Sequence, residues 1–406
     1  MMAARNGGQA SDRTLPTAVW AMGLGSLFMD TSSELIHALL PLFMATTLGA
    51  SMLTIGLIEG IAEATAAITR VFSGTLSDRL GRRKPLVLFG YGLAAFTKPV
   101  FPLAASVAWV LGARWLDRLG KGIRGAPRDA LLADLVAPPL RGAAYGLRQA
   151  LDSVGAFAGP LLAMAALAWF ANDLRTAMWV AVPPAFLAVA VLWIHVREPE
   201  PTTGTAVTRP RLSPDLVRQL PLRYWQVVAL GAVFTLARFS EAFLVLRAQD
   251  TGLPIALVPL VMVAMNLCYA LGAYPAGAAA DRHRARTLLL LGLAVLIVSD
   301  LLLAATAGPA TLLAGAALWG LHMALTQGLL AKLVADVAPV ALRGTAFGIY
   351  HLISGGALLA ASTIAGALWS LMGAPATFLA GAGFAALAAL GLLGHAGGVA
   401  RKQPSP

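Results

Sequence analysis

Long apolar segments follow one another along almost the whole chain, each close to the roughly 20 residues that a helix needs to cross a bilayer. Their spacing predicts about twelve membrane-spanning helices. The expected centres of these spans are Ser26, Ala62, Ala95, Lys121, Ser153, Ala185, Thr235, Met265, Val295, His322, Ser354 and Ala385. A transmembrane barrel would instead show segments of about ten residues with alternating hydrophobicity. The pattern therefore predicts an all-α integral membrane protein.

Composition supports this prediction and adds a domain boundary. Of the 406 residues 58% are hydrophobic and only 12% are charged, whereas a soluble domain carries roughly 25% charged residues. Segment 198–222 is rich in proline and polar residues, which predicts a central loop between two bundles, 1–197 and 223–396, with a tail at 397–406. The first apolar segment is too long for a cleaved signal peptide, so we expect a retained first span.

The positions of the basic residues explain the net charge of +11. Most Lys and Arg residues outside the spans fall in alternate loops and in the tails, and such an excess is typical of the cytoplasmic side of a membrane protein. We therefore expect both termini and the central loop in the cytoplasm, in a bacterial inner (cytoplasmic) membrane, with lipid rather than nucleic acid as the partner. The single cysteine, Cys268, excludes an intramolecular disulfide.

A segment of the first half returns in the second half. Asp134–Gly146 reads DLVAPPLRGAAYG, and Asp336–Gly348 reads DVAPVALRGTAFG. The pair Asp78-Arg79 likewise returns as Asp281-Arg282. Two weakly similar halves in an apolar chain are typical of secondary transporters, which bind their solute between the halves near the middle of the bilayer.

Several motifs resemble those of the major facilitator superfamily. Gly74–Lys84, GTLSDRLGRRK, resembles its signature between the second and third helices, and Gly277–Arg284 resembles a degraded second copy. Arg118–Gly122, RLGKG, is similar to its fourth-helix motif, with Lys in place of Gln. Gly155–Pro160, GAFAGP, resembles the fifth-helix motif of its antiporters without the trailing glycines. The string Gly120–Asp129, GKGIRGAPRD, is similar to a little-characterised prokaryotic branch.

This resemblance implies twelve transmembrane helices in two six-helix bundles related by a pseudo-two-fold axis. It also implies alternating access of a central cavity, and we expect a functional monomer because the two-bundle design needs no partner chain. Gly155, Gly159 and Pro160 are expected to bend the fifth helix and to allow close helix approach.

The charged loop residues predict a gate on the cytoplasmic side. Arg79, Arg82 and Arg83 can reach Asp134, and Arg141 lies close to that cluster in the sequence. Such a cluster would hold the cytoplasmic side closed in the outward-open state, or would only anchor the loops. The residues of this predicted gating motif are Gly74, Asp78, Arg79, Gly81, Arg82, Arg83, Asp134, Arg141, Asp281, Arg282, Asp336 and Arg343.

Charged residues inside the spans indicate function, because a charge at mid-bilayer costs about 2.5–3.5 kcal/mol on insertion scales. Here they recur at steps of three and four residues, which places them on single helix faces. The candidates for proton coupling are Asp30, Glu34, His37, Glu59, Glu63, Arg238 and Glu241. The candidates for the solute cavity are Arg114, Asp117, Arg118, Lys121, Arg124, Arg148, Asp152, Asn266, His322, Tyr350 and His351. The third, sixth, ninth and twelfth spans are nearly free of charge, with Lys98 and Asp300 as exceptions.

Glu34, aided by Asp30, is the preferred proton carrier, since a carboxylate in a poorly hydrated cavity can bind and release protons. Both carboxylates could instead only neutralise Arg118 or Lys121, and these two cations could themselves bind an anionic solute. The sequence thus predicts proton-coupled export of a small amphiphilic or charged solute. Import or exchange of an organic anion, and a receptor without transport, are the alternatives. No phosphate-binding loop, catalytic signature or zinc-ligand spacing occurs in the sequence, so we expect neither an enzyme nor a cofactor or metal.

Overall fold

The computed structural model describes residues 15–80, 82–137, 140–198, 218–305, 308–339 and 342–394. These residues form helices and contain no strand, so the predicted all-α class is confirmed. The α-helices are α1 Thr17–Leu42, α2 Met52–Leu80, α3 Lys84–Thr97, α4 Val100–Leu103, α5 Val107–Asp134, α6 Arg141–Trp169, α7 Leu174–Met178, α8 Val182–His195, α9 Leu222–Leu236, α10 Ala242–Asp250, α11 Leu260–Arg282, α12 Ala285–Ala304, α13 Pro309–Val337, α14 Arg343–Met372 and α15 Ala374–Gly394. We call α1–α8 the first half and α9–α15 the second half.

Within the described residues, nine helical segments are long and apolar enough to cross a membrane. They are Met52–Gly74, Lys84–Leu103, Arg141–Trp169, Leu174–His195, Ile255–Ala279, Ala285–Ala304, Pro309–Val337, Thr345–Met372 and Ala374–Leu393. Each predicted span centre lies inside a helix. The helices α1, α5 and α9 hold predicted centres without being among the nine, because charged and polar residues lower the hydropathy of α1 and α5 and because α9 is short. The count of twelve crossings stays a prediction.

Contacts between helix ends define two ends of the molecule. At the end where α1 begins, Lys84 Nζ donates to the Trp193 carbonyl at 3.0 Å, which joins α3 to α8. Arg286 likewise donates to the Leu393 carbonyl and joins α12 to α15. We call this the termini end. At the opposite or far end, the Arg175 guanidinium donates to the Pro102 carbonyl at 2.8 Å.

The two halves meet along α2 and α14, along α6 and α11, and where α1 contacts α10 at the far end. Leu39 and Phe43 of the first half and Phe243 of the second half belong to one core there and are fully buried. Hydrophobic packing therefore closes the far end in this conformation.

Glycines allow the close approach of α2 to α14. A Cβ on Gly60 would lie 2.9 Å from the Leu359 Cα, and a Cβ on Gly366 would lie 2.8 Å from the Leu53 Cα. Both distances are shorter than van der Waals contact, so side chains at these positions would push the helices apart.

We expect Gly60→Val to lower the thermal unfolding temperature of the purified protein. Overpacking of a tight contact costs about 1–3 kcal/mol, because the added methyl groups would overlap the backbone of α14. Gly356→Val on α14 is the control, since a Cβ there meets nothing within 4 Å. Equal unfolding temperatures for the two variants, measured in detergent, would contradict the close packing of α2 against α14.

The predicted seventh span is divided into two helices. It is non-helical between Leu236 and Ala242, so Arg238 and Glu241 lie in a break and not on a continuous helix face. The Ser240 amide donates to Ser362 Oγ at 3.1 Å and attaches the break to α14. Free backbone groups in a membrane helix need such partners.

Asp300 is the exception in the charge-poor helix α12. Its side chain is fully buried, and neither carboxyl oxygen has a hydrogen-bond partner among the described residues. It packs against Gly381, where a Cβ would lie 2.7 Å from Asp300 Oδ2. Asp300 thus differs from the paired charges of the first half, because its carboxyl group has no hydrogen-bond partner among the described residues.

Candidate functional site

A cavity of about 360 Å³ lies between the two halves. Its wall consists of Asp30, Glu34, Arg70, Lys121, Arg124, Gly125, Arg128, Asp129, Arg148, Gln149, Asp152, Ser153, Ala156, Asn266, Tyr269, Ala270, Met323 and Gln327. The α5 and α6 residues of this wall belong to the parts of those helices nearer the termini end, so the cavity faces that end. Every charged side chain of the wall comes from the first half, whereas the second half contributes only neutral residues.

The carboxylates of the cavity wall are paired with basic groups. Arg124 Nη2 lies 3.8 Å from Asp30 Oδ1, and its guanidinium also lies over the Tyr91 ring at 4.4 Å. On α6, Arg148 Nη1 donates to Asp152 Oδ2 at 2.5 Å, as the i, i+4 spacing predicts. The Arg128–Asp129 pair has an N–O distance of 3.3 Å.

Glu34 lies at the inner boundary of the cavity. Its side chain is 21% exposed, and His37 Nδ1 lies 3.4 Å from its Oε2. His37 is buried, and its second nitrogen, Nε2, is 3.9 Å from Glu59 Oε2. Glu34 therefore connects the cavity to ionisable groups that the cavity does not reach.

Behind the cavity wall, four fully buried charges form a network that joins α2, α5 and Lys98, the residue directly after α3. Arg114 Nη2 donates to Glu59 Oε2 at 2.7 Å, and Lys98 Nζ donates to Asp117 Oδ1 at 2.7 Å. Arg114 Nη1 lies 3.9 Å from Asp117 Oδ2, and Lys98 also donates to Ser33 on α1. Arg114 and Asp117, predicted as solute-cavity residues, are absent from the described wall, because their partners hold them inside the first half.

Arg118 and Glu63 form another pair outside the cavity wall. Arg118 Nη2 lies 2.9 Å from Glu63 Oε1, which links α5 to α2. The direct salt-bridge partner of Arg118 is therefore Glu63 and not Glu34 or Asp30. Lys121, one residue after Gly120 on the same helix, does line the cavity as predicted.

Of the candidates in the second half, Asn266 lines the cavity and the others lie elsewhere. Asn266 Nδ2 donates to the Ala156 carbonyl at 3.0 Å, which joins the two halves. His322 is buried with Nδ1 2.8 Å from the Gly292 carbonyl, so it packs against α12 and not in the cavity. Tyr350 packs against Gly231 on α9, and the His351 ring stacks on Phe347 with centroids 6.2 Å apart. Arg238 and Glu241 are likewise absent from the described wall.

The cavity also contains two charged residues outside the predicted set. Arg70 extends from α2 across Gly125 of α5, where a Cβ would lie 3.0 Å from its Nε. Asp129 lies at the cavity rim with a side chain that is 47% exposed. Arg70 lies inside the second span, seven residues after Glu63, and this spacing, which places both on one face of α2, could have found it. Asp129 is one residue off the basic stripe of α5.

The described contacts of the predicted gate lie within the first half. Arg83 Nη1 is 2.7 Å from Asp134 Oδ2, and Arg141 Nε donates to the Ala133 carbonyl at 3.3 Å. The Glu198 carboxylate accepts the backbone N–H groups of Arg83 and Lys84 at 2.6 and 2.7 Å, which favours a carboxylate at this helix start. In this conformation these contacts anchor the loop between α2 and α3.

The remaining residues of the predicted gating motif are exposed, packed within the first half, or outside the described residues. Arg82 and Asp336 are exposed, and a Cβ on Gly74 would lie 3.3 Å from the Ala126 Cβ of α5. Gly81 lies outside the described residues, as do the side chains of Asp78, Arg79, Asp281, Arg282 and Arg343. A latch between the halves stays a prediction.

Gly155 and Gly159 bring α6 against α1 beside Glu34. A Cβ on Gly155 would lie 2.6 Å from the Leu27 carbonyl oxygen, and a Cβ on Gly159 would lie 2.7 Å from the Glu34 Cβ. The expected close helix approach is therefore confirmed. Pro160 is buried inside α6, which runs without interruption.

The comparisons with known proteins agree with this architecture. The family model described as Major Facilitator Superfamily matches residues 22–247 and 229–405. The chain belongs to the major facilitator superfamily. It is therefore a multi-pass membrane protein and a secondary transporter.

Individual relatives from this superfamily cover different shares of the chain. An uncharacterised MFS-type transporter of Methanocaldococcus jannaschii is 30% identical over 389 residues, which is 94% of this chain and 96% of that protein. The multidrug resistance protein MdtH of Cronobacter sakazakii is 30% identical over 153 residues, 35% of this chain and 37% of that protein. The crystal structure of a POT family transporter with a thioalcohol-conjugated peptide superimposes with a TM-score of 0.79 at 12% identity, covering 94% of this chain and 98% of that one. That structure shows the shared fold.

Proposed function

We propose that this chain is a proton-coupled antiporter that exports a small charged or amphiphilic solute by alternating access. In this proposal twelve spans form two six-helix bundles, 1–197 and 223–396, on either side of the cavity. The termini end, with the central loop 198–222 and the tail 397–406, faces the cytoplasm of a bacterial cell. The conformation described here is then the inward-facing one of a functional monomer.

The position of Glu34 carries this proposal. Glu34 lines the cavity and lies 3.4 Å from the buried His37, which in turn lies 3.9 Å from Glu59. A proton can therefore pass between cavity water and a group that is shielded from the cavity, with the imidazole between two carboxylates. Asp30, one helix turn nearer the termini end, gives a second carboxylate on the same face.

Solute transport is coupled to proton transfer if the charge state of Glu34 changes the electrostatic environment of the bound solute. With Glu34 ionised, the cavity holds its full set of paired charges, whereas a proton on Glu34 removes one negative charge beside Lys121. Because unlike charges attract more strongly where water is scarce, proton binding and solute binding then depend on each other. The multidrug-resistance relative, which aligns over about a third of the chain, supports the export direction.

Glu34→Gln tests the proposal in proteoliposomes that report internal pH. We expect a candidate solute to drive proton movement in the unaltered protein and this movement to fall to the level of empty liposomes in the variant. Anionic, cationic and neutral solutes are added one class at a time. Asp173→Asn at the far end is the matched control, since Asp173 caps α7 by accepting from the Arg175 amide and the Thr176 hydroxyl and does not line the cavity. Proton movement that survives in Glu34→Gln with its usual pH dependence would refute the role of Glu34.

A further inference from the structure

The charges of the cavity wall do not balance. Each of its four carboxylates has a basic partner within 4 Å. The wall contains five Lys and Arg side chains and four carboxylates, so with a neutral His37 its net charge is +1. Arg70 and Lys121 are its two cations without a carboxylate at salt-bridge distance among the described residues.

These two groups converge on one part of the cavity. Lys121 and Gly125 lie one turn apart on the same face of α5, and the Arg70 side chain crosses Gly125 from α2. Arg124 on α5 adds a further donor, because its Nη1 is buried without a hydrogen-bond partner. Like charges brought together in a poorly hydrated space repel each other, so this part of the wall favours an anion as its occupant.

The opposite wall has a different chemistry. The second half contributes Asn266, Tyr269 and Gln327 with the apolar Ala270 and Met323, and no charge. Amide and phenol groups hydrogen-bond a neutral body, and Met and Ala offer it apolar contact. A volume of about 360 Å³ lies at the small end of the roughly 300–1,000 Å³ range of ligand sites.

We propose that the transported solute is a small organic monoanion, whose anionic group binds between Arg70 and Lys121 while its neutral body contacts the second-half wall. The inference rests on the proposed proton-coupled transport and adds the sign of the solute, which the sequence leaves open. Because a proton on Glu34 removes a negative charge beside Lys121, it should strengthen the binding of an anion. For this solute, proton and solute would therefore move together, and the exchange part of the proposed function would not apply. A solute held in this way touches both halves at once, as a solute of an alternating-access transporter must. Guanidinium and ammonium groups form charge-assisted hydrogen bonds with a carboxylate.

Three probes of similar shape, tested on the unaltered protein, distinguish an anionic solute from a neutral or a cationic one. Benzoate, benzamide and benzylamine share a ring and differ in charge: negative, neutral and positive. In detergent and in a buffer free of phosphate and sulfate, we expect benzoate to raise the thermal unfolding temperature with a saturable dose dependence. Benzamide and benzylamine should give no comparable shift. The absence of a benzoate shift, or an equal shift with benzamide, would overturn the proposal.

Inorganic phosphate is a further arm of the experiment. It carries the anionic charge without an organic body, so we expect a smaller shift than with benzoate. An equal shift would mean that the two cations hold any small anion, which would overturn the assignment of an organic solute.

Variants then locate the site. Lys121→Gln and Arg70→Gln should each weaken benzoate binding roughly tenfold or more, the usual result of losing a hydrogen bond to a charged group. Lys84→Gln is the matched control, because Lys84 binds the Trp193 carbonyl outside the cavity. This variant should bind benzoate with unchanged affinity. Unaltered benzoate affinity in Lys121→Gln would overturn the site.

Glu34→Gln separates this inference from the proposed function. Because the substitution removes a negative charge beside Lys121, the variant should bind benzoate at least as tightly as the unaltered protein while losing proton movement. Binding without any proton movement in the unaltered protein would refute proton coupling and leave the anion site intact. Proton movement driven only by a cationic or neutral solute would refute the anion site and leave the coupling intact.

Discussion

Glu59→Gln is expected to destabilise this protein more than the loss of any other single carboxylate of the first half. Glu59 and Arg114 are both buried, with an N–O distance of 2.7 Å. Removal of the carboxylate leaves the guanidinium charged and buried, since an arginine does not deprotonate in proteins. Breaking a buried pair on one side costs about 3–5 kcal/mol. We expect this loss as a large fall in the thermal unfolding temperature in detergent.

Glu63→Gln gives a matched comparison, because Glu63 also pairs with an arginine of α5 at 2.9 Å but is 30% exposed. Water can replace that partner, so its loss should be smaller. The double variant Glu59→Leu/Arg114→Leu should recover part of the stability, since apolar side chains often replace a buried pair at little cost. Equal losses in Glu59→Gln and Glu63→Gln, or no recovery in the double variant, would count against a buried ionic network.

A cross-link at the far end is expected to stop transport completely. The Leu53 amide of α2 donates to Ser370 Oγ of α14 at 3.2 Å, which brings the two halves into contact there. Leu53→Cys/Ser370→Cys should form a disulfide on mild oxidation, because such backbones are close enough for one. The far end could then no longer separate, and alternating access requires that it does.

The measurement is solute-driven flux in proteoliposomes before oxidation, after oxidation and after reduction, in a background that carries Cys268→Ala. Flux should fall to background on oxidation and return on reduction, while each single-cysteine variant stays active. Solute binding to the detergent-solubilised protein should survive oxidation, because the cavity faces the termini end. Full transport through the cross-linked protein would show that the far end need not open between α2 and α14.

The helical class and the location of the first-half charges could be predicted because both follow from local rules. A bilayer requires long apolar helices, and steps of three and four residues place Asp30, Glu34 and His37 on one face of α1. The structure brings Glu34 to the cavity and places His37 directly behind it. The regular spacing of polar residues on one helix is therefore enough to find the cavity side of α1.

The predictions failed where depth and partners decide a role. Arg114 and Lys121 belong to one row of charged residues on α5. Arg114 is nevertheless buried in a salt bridge with Glu59 of α2, whereas Lys121 lines the cavity. His322 was expected in the cavity because of its position along the chain, but the Gly292 carbonyl of α12 holds it. Each of these outcomes depends on how a neighbouring helix is rotated, which periodicity within one helix does not report.

The sequence by itself determined that this chain is a helical membrane protein with the motifs of the major facilitator superfamily and with charges concentrated in its first half. Hydrophobic length and residue spacing are properties of short segments, so they can be recognised without the fold. Only the tertiary structure decided which charges pair, that Lys98 completes a buried network, and that Arg70 and Lys121 are left together in the cavity. Those facts arise because side chains from α2 and α5 and the Lys98 side chain meet across distances that no single segment contains.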